Sequence, residues 1–147
     1  TKDNHIAIIE VKAASAMSAH KNVEKYLGLE FYCEKKGFTY MMIDPVENFI
    51  TFSELQDIEV YSELQEMFDK MTKESASCPI LPYACFDSTD VNRWYRKYEN
   101  FCTKKQFNLM VHSLIIEHKW YNLFSNGFKV YSRPVKVDEN YNITGYI

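Results

Sequence analysis

A chain of 147 residues with 46% hydrophobic and 16% aromatic side chains is long and apolar enough to bury its own core, which excludes a disordered tail. Its formal net charge of −3 excludes whole-molecule attraction to phosphate, so nucleic-acid contacts have to come from local basic patches. No apolar stretch approaches the roughly 20 residues of a bilayer span, which excludes a membrane segment. Cys33, Cys78, Cys85 and Cys102 form neither a C-x-x-C pair nor a zinc quartet with histidine. They read as reduced thiols of a soluble, intracellular (cytoplasmic) protein.

The opening "TKDNH" reads as a turn between two strands, with a further strand expected ahead of it. Ile6 to Val11 is short, β-branched and apolar on both alternating side-chain sets, the pattern of a central strand covered on both faces. Side chains alternate with period two, so Glu10 and Lys12 project from one face at the strand's C-terminal end. From about Ala16 to Lys36, Ala19, Val23, Tyr26, Leu27, Phe31 and Cys33 share one helical arc. Lys21, Lys25, Lys35 and Lys36 occupy the other, and Gly37 supplies the stop. "FTYMMID", Phe38 to Asp44, predicts a second buried strand ended by Pro45. Strand, long helix and strand together predict a right-handed crossover between parallel strands.

Phe49 to Phe52 reads as a short strand. Ser53 with Gln56, and Ser62 with Gln65, each fit an S-x-x-Q capping box, the second opening a stripe of Leu64, Met67, Phe68 and Met71. "KESASCPILPYACF" is polar and then Pro-punctuated, which places a boundary there between a core at residues 1–75 and an accessory region at 76–147. Asp87 or Ser88 is placed to cap a helix through "DVNRWYRKYENFC". A second helix is predicted over about Lys104 to Phe124, ended by Asn126-Gly127. "FKVYS" and "VKVDENYNITGYI" predict short strands, the latter turning at Glu139 to Asn142.

A buried strand ending in Glu10-Val11-Lys12, then a long helix and a parallel strand, resembles the PD-(D/E)XK nuclease superfamily of restriction-endonuclease-like fold. The resemblance covers roughly Thr1 to Asp44. It implies a mixed sheet with flanking helices, to which this chain adds a helical and β-hairpin C-terminal half. It also implies a metal-dependent DNA endonuclease, in which Glu10 holds Mg²⁺ or Mn²⁺ with an Asp from the preceding strand and Lys12 assists the attacking water. Mg²⁺ favours hard oxygen ligands and neutralises charge on a scissile phosphate, and a lysine beside it stabilises developing negative charge. An extended Asp3 sits roughly 23 Å from Glu10, too far to share a metal, so the missing Asp is expected upstream of Thr1. "IIEVKAASA" with the following helix and strand is also similar to the catalytic domain of the transposon endonuclease TnsA. DNA and the other subunits of a transposition or restriction complex are the partners implied.

In RecB-like nucleases the helix after E-x-K carries Gln-x-x-x-Tyr; Asn22 and Tyr26 hold that spacing here, with Asn in place of Gln. Lys21 and Lys25 suit phosphate contacts. "NRWYRKY" leaves two readings open. Arg93, Arg96 and Lys97 contact phosphate while the aromatics stack on bases, or the helix is amphipathic with its aromatics turned inward. Asp44 reads as a turn residue before Pro45, with a supporting metal role open because parallel strands bring their C-terminal ends to one edge. His118 reads as a packed or capping histidine, and His5, His20 and His112 form no ligand pattern. The alternative to an enzyme is a non-catalytic module of the same fold that docks DNA or protein.

Overall fold

The computed structural model describes residues 4–77, 85–123, 128–140 and 142–146. Asp3 and the Asn126-Gly127 stop lie outside them. The first strand, β1 (Ala7–Val11), leads through the short helix α1 (Ala14–Met17) into α2 (His20–Lys36). One helix was expected from Ala16; two form, because Ala19 adopts an extended backbone (φ −59, ψ 135) that interrupts the turn at Ser18 and Ala19. Gly37 ends α2 as expected, in the left-handed conformation (φ 72), its N–H donating back to Cys33 and Glu34 carbonyls.

β2 (Thr39–Asp44) then pairs in parallel with β1, from Ala7 opposite Thr39 to Val11 opposite Ile43. The strand, helix and parallel strand read from the sequence are therefore present. β3 (Ile50–Thr51) adds an antiparallel neighbour to β2, giving a mixed sheet of order β1-β2-β3. Among the described residues β1 pairs on one side only, with β2; the second neighbour expected for it lies ahead of Thr1. Ile8, Glu10 and Lys12 are partly buried, whereas Ile9 and Val11 are each 62% exposed, because no described element packs over their side of the sheet.

α3 (Phe52–Gln56) is capped by Thr51 with Glu54, not by Ser53 with Gln56. Thr51 still has extended backbone, so its hydroxyl meets the free N–H of Glu54, whereas Ser53 is already inside the helix. Ser62 likewise lies inside the first turn of α4 (Ser62–Ser77), where Gln65 N–H donates to Tyr61 C=O. β4 (Cys85–Asp87) precedes α5 (Ser88–Tyr95), which Asp87 caps reciprocally with Asp90. α6 (Lys104–Glu117) starts from a Thr103–Gln106 capping box and stops at His118, short of the predicted end. β5 (Tyr121–Asn122) and β6 (Lys129–Tyr131) pair with β4 in the order β4-β6-β5, and β7 (Val135–Val137) and β8 (Ile143–Tyr146) form the predicted hairpin. The described residues are thus mixed α/β, with six helices and three small sheets.

Two buried clusters divide the packing. Met17, Tyr26, Met42, Phe52 and Leu55 form one beneath the first sheet. Leu64, Phe68, Phe86, Val91, Phe107, Val111 and Trp120 belong to the other. α4 supplies Leu64 and Phe68 to the second cluster. α6 joins the two, with Leu109 and Ile116 against the first cluster and Leu114 and Ile115 in the second. No described helix is long and apolar enough to cross a membrane.

Candidate functional site

The period of the strand puts Glu10 and Lys12 on the covered face, and their charged groups lie 4.0 Å apart. The crossover then brings two more groups to the same carboxylate. Lys25, on α2, donates to Glu10 Oε1 at 2.5 Å, and the Tyr40 hydroxyl, on β2, donates to Oε2 at 2.9 Å. The Glu10 side chain is only 16% exposed, so an unpaired carboxylate there would be costly. Desolvation pushes its pKa up, but the hydrogen bonds from Lys25 and Tyr40 and the charges of Lys25 and Lys12 outweigh that and leave it lowered. The carboxyl is ionised at neutral pH. Burial and then the bond to Glu10 raise the Tyr40 phenol, which stays a donor.

Two ammonium groups therefore surround one carboxylate at the end of a parallel strand pair. The cluster carries net positive charge and is chemically suited to a phosphate oxygen. Lys25, assigned from sequence to a solvent-facing phosphate contact, is half exposed and bridges to Glu10. Lys21 is exposed on the same helix. Asn22 and Tyr26 both face the sheet and are buried, as their spacing implied. Asn22 uses its amide N–H on the Ala16 carbonyl at 2.7 Å, and Tyr26 stacks on Phe52 with centroids 3.9 Å apart, so both hold α2 in place. Burial, reinforced by Glu30, pushes the Tyr26 phenol up to about 12.

Asp44 sits at the corresponding end of β2, fully enclosed, and takes the turn role. Its Oδ1 accepts the N–H groups of Val46 and Glu47 at 3.1 Å, and its Oδ2 accepts Ala14 N–H at 3.0 Å and the Asn48 amide at 3.1 Å. Burial alone would raise its pKa; these four donors reverse that and hold the carboxyl well below the usual range. With four donors on two oxygens, Asp44 has little left for a cation. Among the described residues no three His, Cys, Asp or Glu side chains gather as a metal cluster. Glu10 contributes a single carboxylate, so these side chains do not form a complete metal site by themselves.

The basic set of "NRWYRKY" lies elsewhere, at the end of α5. Arg93 pairs with Asp90 at 2.8 Å, and Arg96 and Lys97 are exposed. Its aromatics turn inward. Trp94 packs on Phe68 and Phe86, Tyr95 donates to the Cys102 carbonyl at 2.8 Å, and Tyr98 stacks on Tyr61 at 4.8 Å. Of the two readings of this stretch, the amphipathic helix describes the aromatics. His118 caps α6, bonding the Leu114 carbonyl and Asp69. Sequence reasoning missed Tyr40 at the Glu10 site. Only the parallel register, which sets Tyr40 beside Ile8 on the Glu10 face, could have found it.

No protein-family model matches the chain, and no curated protein or solved structure matches it.

Proposed function

We propose that this chain carries the core of a metal-dependent DNA endonuclease of restriction-endonuclease-like fold, acting on phosphodiester bonds inside the cell as part of a transposition or restriction complex. The observation that supports it best is the placement of Glu10 and Lys12. They leave one covered face at the C-terminal end of a strand that a helix crossover joins to a parallel neighbour. In this reading Lys12 and Lys25 attract a backbone phosphate, and Lys12 assists the attacking water and stabilises charge developing on the phosphate. Glu10 would hold Mg²⁺ or Mn²⁺ together with an Asp expected ahead of Thr1, and the ion would supply neutralisation of phosphate charge and an acidified water. A hard cation commonly completes its shell with waters and substrate oxygens beyond one or two carboxylates. Tyr40 positions Glu10, Asn22 and Tyr26 fix α2, and Lys21, Arg93, Arg96 and Lys97 supply further phosphate contacts.

A second reading, a non-catalytic module of the same fold that binds DNA or protein, is favoured by one specific observation. Both Glu10 oxygens already hold protein donors. Titrating Mn²⁺ by calorimetry separates the two. Binding that disappears in Glu10→Gln supports the nuclease, and heat that is identical in both proteins supports the module.

A further inference from the structure

A cleft of mixed polar and apolar lining between α6, α1 and the turn after β2 takes no part in the nuclease reading. Ser15, Asn108 and His112 line both of its lobes. One lobe, about 440 Å³, adds Glu47, Asn48 and Lys105. The other, about 200 Å³, adds Asn92 and Lys104 and the apolar walls Val91, Val111 and Phe128. Neither Glu10 nor Lys12 lines either lobe.

His112 is built into this cleft from behind. Its Nδ1 lies 2.6 Å from the Ser18 hydroxyl, and Asn122 donates its amide N–H to the same oxygen at 3.0 Å; all three residues are buried. A Ser18 hydroxyl that accepts from Asn122 and donates to Nδ1 leaves the ring proton on Nε2. Burial holds the pKa at about 4, so the ring is neutral at pH 7. The two lysines add charge. Lys104 Nζ donates to the Asn92 amide oxygen and Lys105 Nζ to the Glu47 backbone carbonyl, so each is held on a neutral oxygen. Two carboxylates stand near these ammonium groups: Glu47 on the wall, and Asp44 behind it, where it accepts from the Asn48 amide and the Glu47 N–H. Two buried amide oxygens, Asn48 Oδ1 at the cleft and Asn122 Oδ1 behind it, have no hydrogen-bond partner among the described residues.

We propose that the cleft binds a phosphate ester, its phosphate oxygens taken by His112, Asn108, Ser15 and the two lysines and its organic part lying against Val91, Val111 and Phe128. The two ammonium groups, held on neutral oxygens, and the amide and hydroxyl donors beside them suit phosphate oxygens better than a neutral ligand. The ester can come from a free mononucleotide or from the backbone of a DNA strand.

Two-dimensional NMR and calorimetry on the intact protein without divalent metal test this with three probes: inorganic phosphate, a deoxynucleoside 5′-monophosphate, and an oligodeoxynucleotide lacking terminal phosphates. The monophosphate is expected to shift the Asn108 amide and the His112 ring resonances saturably and to bind more tightly than inorganic phosphate. Lys105→Ala and Asn108→Ala, which spare the buried Ser18 network, each weaken it by about tenfold, and Lys70→Ala, on α4, leaves it unchanged. Saturable shifts with the oligonucleotide assign the source to a strand, and shifts with the monophosphate alone assign it to a free nucleotide. The proposal is overturned if no phosphate probe shifts these resonances, or if Lys105→Ala and Asn108→Ala bind like the native protein. Glu10 and metal are not involved, so failure of the nuclease reading leaves this result intact.

Discussion

Acidification from pH 7 to pH 4 is expected to cost this fold stability through His112 in particular. A histidine in the unfolded chain takes up its proton near pH 6.5, whereas burial holds the native His112 neutral down to about 4. Between those two values the unfolded state binds a proton that the native state refuses, so stability falls as pH falls and levels off below the native pKa. A gap of about 2.5 units at 1.36 kcal/mol each corresponds to about 3 kcal/mol, a large share of a typical 5–15 kcal/mol total. Urea unfolding of the native protein and of His112→Asn at matched pH values reads this directly. The asparagine oxygen can still accept from the Ser18 hydroxyl while the titrating ring is gone. The difference between the two proteins should change by about 3 kcal/mol across the window, because the other titrating groups are common to both. Parallel stability curves would refute the reasoning, as would a His112 ring seen by NMR to protonate near pH 6.5.

Asp44→Ala should destabilise by about 3–5 kcal/mol in urea, since it strands the buried Ala14 N–H and unties the turn at 46–48. The Asp44 pKa is depressed in the fold, so its contribution is complete above pH 3.8 and is lost as pH falls through the native value; the gap to Asp44→Ala should close only in strong acid. Tyr40→Phe should cost about 1–2 kcal/mol and let the Glu10 pKa rise, followed by carbon-detected NMR titration. Trp94→Ala should cost about 2–4 kcal/mol in thermal or urea unfolding through lost contact with Phe68 and Phe86, whereas Arg96→Ala stays within about 0.5 kcal/mol.

The parts of this architecture that follow local rules were legible before any coordinates. Period two placed Glu10 and Lys12 together, Gly37 stopped α2, and of the two caps expected for α5, Asp87 or Ser88, Asp87 takes the role. The exposure of Ile9 and Val11 was not legible, because an all-apolar strand shows that both faces favour cover and is silent about which described element provides it. The break at Ser18 and Ala19 carried no Gly or Pro, and Ser53 matched a capping box that Thr51 won through its extended backbone. The Ser18–His112–Asn122 network joins residues 94 and 104 positions apart, contacts that no spacing rule reaches.

Supercoiled plasmid incubated with the intact protein and Mg²⁺ or Mn²⁺ gives the most direct measurement of what Glu10 and Lys12 do. Nicking or linearisation by the native protein, reduced at least about a hundredfold in folded Glu10→Gln and Lys12→Ala, is the expected result. Equal cutting by all three proteins would contradict it.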